Sequence, residues 1–372
     1  MPSGRNFKKK AFYGGHYEAQ DVLVESDDVD LICLETGWRY EQREFWQRRL
    51  MYRDISRKVV LANPGLQKVR LKKEYDLFIA LCQTYKDLLH VNAIEGWKER
   101  CKVTVCWIDE MWAALVPEQK YWLHFLGKFD HVFIGRSGAV EPISDAIGKK
   151  CKWLPGAVDA LRFSPYPQPP KRVIDVYSIG RRCEGIHKSL LEAARCRDVF
   201  YVHDTSAGSL ADVYDHRQHR ENFANIVKRS QCFMVAPGKV DALEETRGQA
   251  EVGYRYTEGA AAGAVMIGQI PQCEAFYRMF PWQDAVIEVN PDGSDVLEVL
   301  RELRSDPDRM ARIITKNATE ALVRHDWVHR WMELYAEVGL APSQGMAARK
   351  NQLQSLSEQR VNQAEAVGFV QG

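Results

Sequence analysis

Short runs of β-branched and apolar residues alternate along this chain with stretches whose apolar positions recur at helical spacing. Strands are expected at 31–35, 77–81, 103–108 and 132–134, each followed by polar or helical sequence. A second series is expected at 174–179, 199–203, 232–236, 265–267 and 285–289, with helices at 189–194, 221–230, 256–262 and 294–304. Apolar strands separated by crossover helices are what parallel sheets covered on both faces require. Between the two series, KWLPGAVDALRFSP at 152–165 runs into the proline-rich YPQPPKR, which has linker composition. The chain therefore reads as two Rossmann-like α/β domains, 1–165 and 166–340, followed by a polar mobile tail at 341–372 that has few large apolar groups. Residues 38–60 read as an amphipathic helix that turns Trp38, Phe45, Trp46, Leu50 and Ile55 to the core. Their mixture with arginines leaves contact with an acceptor as a second reading. Residues 306–339 read as a pair of strong helices ended by Pro342.

Bulk properties narrow the class. A length of 372 residues suits two domains of ordinary size. Hydrophobic residues at 45% and charged residues at 27% exclude disorder for most of the chain. With 51 basic and 50 acidic residues there is no general field to draw in nucleic acid or an anionic membrane. Nine cysteines without paired CxxC spacing are neither a disulfide framework nor a zinc site, and they suit a reducing, cytoplasmic location. No apolar run reaches membrane-spanning length, and the basic start at 1–10 lacks the hydrophobic stretch of a secretion signal, so no stable membrane insertion is expected.

The segment richest in chemistry is YRYTEGAAAGAVMIG at 254–268, where one acid opens a helix of small residues that leads directly into a strand. A carboxylate there can accept two hydroxyl hydrogen bonds, as a ribose diol presents them, while Ala and Gly leave room for a nucleotide. Glu258 has a plainer reading too, as a first-turn acid that favours its own helix dipole. In DVYSIGRRCEGIHKSLLEAA at 175–194, Gly180 allows a tight strand-to-helix turn, and Arg181 or Arg182 can fork onto phosphate oxygens; a solvated loop is the alternative. The chain has neither GxGxxG nor GxxxxGK[ST], which argues against an ordinary dinucleotide site and a P-loop NTPase. Near the start, YGGHYE at 13–18 offers a flexible glycine pair and His16. CWIDEMW at 106–112 puts Asp109 and Glu110 just past a strand end, where open α/β sheets place ligands, although either acid equally suits a helix cap.

Residues 254–268 resemble the nucleotide-sugar motif of retaining GT-B glycosyltransferases of the group-1 or family-4 type: Glu258, then Gly263 five positions on, then the apolar strand 265–267. Arg255, three before the acid, brings the resemblance closest to the spore-maturation-protein-like branch. LPGAVDALRFSP at 154–165 resembles that family's inter-lobe signature, 175–194 its donor-lobe entry, and HDWVHRW at 325–331 its closing helix. The family's first acid falls on Ala250 here, with Glu251 adjacent to stand in for it, and Lys188 lies two positions late.

The resemblance implies a GT-B architecture of two Rossmann-like lobes with a cleft between them, and a nucleotide-sugar donor such as a UDP- or GDP-sugar in the C-terminal lobe. It implies donor contacts from Gly180, Arg181, Arg182, Lys188, Arg255, Tyr256, Glu258 and Gly259, and catalytic parts for Arg181 and Glu251; His16 and Asp109 join them as catalytic candidates on their own residue types and positions. Transfer would proceed with retention of configuration and without a metal or other cofactor. The acceptor stays open among a glycan, a lipid-linked glycan, a protein and a modified nucleic acid. An epimerase or hydrolase on the same fold, and a noncatalytic sugar-nucleotide-binding protein, are the alternatives.

Overall fold

The computed structural model describes residues 1–50, 62–205 and 211–366. The chain divides into two units. The first comprises Met1–Lys9, Asp28–Pro155 and Ala336–Leu340; the second comprises Lys10–Asp27, Gly156–Tyr335 and Ala341–Gly372. This division differs from a single break at residue 165, because a segment near the start and the C-terminal helix both pack with the second unit.

In the first unit the strands are β1 (Pro2–Ser3), β2 (Ile32–Cys33), β3 (Val69–Arg70), β4 (Tyr75–Thr84), β5 (Ile94–Glu95), β6 (Cys101–Glu110), β7 (His131–Ile134) and β8 (Lys152–Trp153). Its main sheet is parallel, in the order β4-β6-β7-β8, with Ala80 paired to Cys106 and Trp107 to Phe133. Two further parallel pairs, β1-β2 and β3-β5, stand apart from that sheet. The middle residues of β4 and β6 are buried without alternation, as a strand covered on both faces demands. Trp107 lies wholly buried in β6, and its indole N–H donates to the Leu154 carbonyl at 2.9 Å.

The helix expected at 38–60 is present as Tyr40–Leu50, and residues 51–60 of that expectation lie outside the described residues. Its facing is the reverse of the one expected. Tyr40 and Gln47, seven apart, are the buried positions, whereas Trp38 is 72% exposed and Phe45 and Trp46 are exposed with it. The arginines account for part of this: the Arg39 guanidinium lies 3.8 Å from the Trp38 ring centroid and that of Arg49 lies 5.1 Å from Phe45.

The second unit is built on β9 (Ile174–Ser178), β10 (Tyr201–His203), β11 (Ser230–Val235), β12 (Val265–Gly268) and β13 (Ile287–Glu288), all parallel, in the order β10-β9-β11-β12-β13. Helices Glu184–Arg195, His216–Lys228, Tyr254–Ala261 and Glu274–Met279 lie in the crossovers, and Val296–Ser305 follows the last strand. Val176, Cys232, Val265 and Ile267 from the sheet pack with Ile186, Leu190, Leu300 and Leu303 from the helices, a continuous apolar core.

Residues after Ala341 are not a mobile tail up to the last described position. They form the helix Gln344–Ala366, with Met346 and Leu353 wholly buried. Its main anchor is ionic. Arg349 donates to both oxygens of Asp326 at 2.9 and 2.8 Å and to Asp159 at 2.6 Å, all three side chains being nearly buried. A count of large apolar residues misses such an anchor, and Ser343 and Ser357 add hydrogen bonds to the Ser26 and Thr319 carbonyls at 2.6 and 3.2 Å. Arg349→Ala leaves the buried Asp326 carboxylate without its cation and Asp159 with Arg162 alone, and it should lower the unfolding free energy by about 3 kcal/mol. Urea denaturation checks this; an unchanged midpoint would show that the helix is not anchored at Arg349.

Candidate functional site

Numbered along the chain, the strands of the second unit run 2-1-3-4-5, so the connections reverse direction between β9 and β11. Open parallel sheets bind ligands beyond the carboxyl ends of the strands at such a switch point. The turn leaving β9 is IGRRC. Gly180 sits there at φ +76°, a left-handed conformation that side chains resist, and its N–H donates to Asp204 Oδ2 at 3.2 Å. Arg182 reaches the same residue, donating to its carbonyl at 3.1 Å and its carboxylate at 3.3 Å. Arg181 is ion-paired with Asp241, which follows β11, and nearby Lys239 pairs with Glu245 at 2.7 Å. Directly behind the turn starts the twelve-residue helix Glu184–Arg195, whose N-terminal end carries partial positive charge.

Glu258 lies in helix Tyr254–Ala261, which leads into β12, and its side chain is 1% exposed. Both carboxylate oxygens are engaged. Oε1 accepts from Arg220 of helix His216–Lys228, and Oε2 accepts from Arg255 one turn earlier on its own helix. Arg220 in turn forks onto Glu18 of helix Gly14–Ser26, with Nε and Nη2 donating at 2.8 and 2.9 Å. Glu18 also accepts the Asp159 N–H at 2.8 Å and lies 3.3 Å from Arg162. The Phe223 ring lies beneath both guanidiniums, 5.4 Å from Arg220 and 5.1 Å from Arg255.

Burial alone would push the Glu258 carboxyl up, but Arg255 and Arg220 outweigh it and hold it below its ordinary value. Burial likewise works against the charge on Arg220, and the carboxylates of Glu18 and Glu258 more than offset it, leaving its pKa raised. Arg255 links this buried chain of charges to the β9 turn. Its Nε donates to the Ile179 carbonyl at 3.2 Å, and its Nη2 lies 3.1 Å from where a Cβ on Gly180 would stand.

Gly180, Arg181, Arg182, Arg255 and Glu258 are thus brought together, whereas Lys188, Tyr256, Gly259, His16 and Asp109 are engaged elsewhere. Lys188 is 73% exposed and faces Glu184 at 3.9 Å on the solvent side of its helix, because two extra residues carry it past the turn. Tyr256 is wholly buried, packs its ring against Phe276 and Phe280, and donates its hydroxyl to the Gln269 carbonyl at 2.6 Å. Gly259 serves packing: a Cβ there would lie 2.8 Å from Phe233 and 3.0 Å from Met266. Glu251 is buried and accepts from the Gln249 amide at 2.7 Å. His16 is buried in helix Gly14–Ser26, with Nε2 3.3 Å from the Gln20 amide, and it belongs to the second unit rather than to an N-terminal lobe. Asp109 belongs to the first unit, where it is buried at the end of β6, accepts from Gln83 at 2.7 Å and lies 3.7 Å from Arg136.

Sequence reasoning missed Glu18, Arg220, Asp204, Lys239 and Asp241. The Gly-Gly-His-Tyr-Glu motif did point at Glu18's neighbourhood, but the partner that gives Glu18 its part lies 202 positions away.

A family model described as glycosyl transferase-like matches residues 181–336. No curated protein matches the chain. Among solved structures, Anabaena Alr3699/HepE in complex with UDP and glucose matches with a TM-score of 0.50 at 11% identity, covering 91% of this chain and 98% of that one. The same protein in complex with UDP-glucose matches with a TM-score of 0.48 at 11% identity, again covering 91% and 98%. A glycosyltransferase from Rickettsia africae ESF-5 matches with a TM-score of 0.45 at 10% identity, covering 84% and 85%. The α/β, GT-B fold expected from the sequence is therefore the fold observed. Among the described residues, no helix is long and apolar enough to cross a membrane.

The Glu258 charge carries a pH signature. Its folded-state pKa is lowered, so its contribution to stability is complete above its unfolded value, near 4.5, and is lost as pH falls through the folded value. Glu258→Gln should therefore melt below wild type at neutral pH, and the gap should close on acidification below that range. A gap that stays constant across this titration would show that the ionised carboxylate is not what stabilises the fold.

Proposed function

We propose that this chain is a glycosyltransferase whose second unit binds a nucleotide-activated sugar, with the donor diphosphate against the β9 turn and the ribose diol at Glu258. One observation carries the reading: at the switch point of a parallel sheet, the turn that carries Arg181 and Arg182 after Gly180 also receives Arg255 against Gly180, and each guanidinium is partly exposed. A glycosyl transferase-like family match over this region and a shared fold with a protein solved with UDP support the same reading.

The chemistry asks little of a protein nucleophile. As the bond from the anomeric carbon to the diphosphate breaks, charge builds on the leaving oxygens, and fixed guanidiniums aided by a helix N-terminus lower that barrier. An acceptor hydroxyl arriving on the leaving-group face forms the new glycosidic bond and passes its proton to the departing diphosphate, which retains configuration. Arginine charge serves here where other enzymes use a divalent ion, so the reaction proceeds without metal. UDP- and GDP-sugars are the donor candidates. Nine free cysteines suit a cytoplasmic setting.

Thermal shift against UDP-, GDP- and ADP-sugars tests donor binding, since a ligand that binds only the folded state raises its apparent stability. One nucleotide class should raise the melting temperature, and no response to any of them would overturn the reading. With the responding donor, Arg181→Ala should lower turnover on the order of a hundredfold. Affinity for the free nucleoside should be unchanged, and equal activity in wild type and variant would return Arg181 to a solvated loop.

A further inference from the structure

The two guanidiniums on Glu258 are not equivalent. Arg220 is 5% exposed and held by its fork onto Glu18, whose side chain is fully buried, so Oε1 is occupied permanently. Arg255 is 30% exposed, and outside the cluster it makes one backbone hydrogen bond, to Ile179 at the start of the β9 turn. Its guanidinium therefore lies between the carboxylate and the turn, in contact with both.

We propose that Arg255 is a specificity-determining residue: it occupies Glu258 Oε2 until a diphosphate at the β9 turn draws it away, and only then does that oxygen accept the ribose diol. This rests on the donor reading above, and it adds a requirement that reading does not contain. A neutral nucleoside must break the Arg255–Glu258 pair and give the guanidinium nothing in return. A nucleoside diphosphate exchanges one charge-assisted partner for another, because its oxygens replace the carboxylate as the acceptor for Arg255. A ligand shifts such an equilibrium only by its differential affinity for the two arrangements, and the diphosphate supplies that difference. The site thereby selects phosphorylated nucleotides over nucleosides through competition for one oxygen, beyond the direct attraction of the phosphates.

The full-length chain and its Arg255→Gln variant are titrated calorimetrically with uridine, guanosine, UDP and GDP. For the preferred base, the variant should bind the nucleoside about threefold more tightly, because Oε2 is no longer contested. It should bind the corresponding diphosphate about tenfold more weakly, because a charge-assisted partner is lost. Uridine carries no charge, so a change in local field cannot produce the first shift. A nucleoside affinity that is unchanged or weaker overturns the proposal, as does an unchanged diphosphate affinity. Wild-type protein that binds neither diphosphate overturns the donor reading itself, which is a separate outcome. Should Arg255→Gln fail to fold, Arg255→Met, which also removes the cation, is expected to move both affinities in the same directions, and parallel weakening of the two overturns the proposal.

Discussion

A carboxylate taken out of water has to be met at once by cationic donors, and the arrangement of the second unit follows from meeting that demand at Glu258. Its position in a helix of small residues leaves it almost no water. Arg220 enters from a neighbouring helix to satisfy one oxygen and is itself buried, which calls for a second acid, Glu18, from the start of the chain. That requirement explains why residues 10–27 pack with the second unit although they precede the first unit's sheet in sequence. Helix Gly14–Ser26 is tied in by a buried guanidinium fork, from Arg220 onto Glu18, with Arg162 as a second cation on the same carboxylate.

The same alternation of charge ends at the surface in Arg255, and so joins the interior to the β9 turn. Gly180 gives that turn its left-handed residue, Asp204 fixes the turn's N–H and Arg182, and Arg255 lies against its backbone. A ligand that approaches the turn meets Arg181 and Arg182 already oriented by Asp241 and Asp204. Orientation set in advance limits the entropy lost on binding, because the rotamers of long side chains are restricted before the ligand arrives.

The sequence made the periodic features legible. The apolar runs at 77–81, 103–108, 174–179, 232–236 and 265–267 fall within or overlap β4, β6, β9, β11 and β12, because a strand buried on both faces has few residues to choose from. Gly180 and Arg181 were legible from the turn that leaves β9, whereas Arg255 and Glu258 were picked out by the resemblance of 254–268 to a nucleotide-sugar motif. Glu18 and Arg220 were not, because an ion pair between residues 202 apart leaves no trace in local spacing. The packed helix Gln344–Ala366 escaped notice for a similar reason: its anchor, Arg349, reads locally as one more surface cation. Trp38, Phe45 and Trp46 misled in the opposite direction, since aromatics at helical spacing suggest a buried stripe and here face outward.

A nucleotide held between the β9 turn and the start of helix Tyr254–Ala261 would slow amide hydrogen exchange there, which is measured with and without UDP or GDP. Protection is predicted at 179–183 and 254–258. Exchange unchanged in both segments, with protection confined to the end of β6 around Asp109, would contradict it.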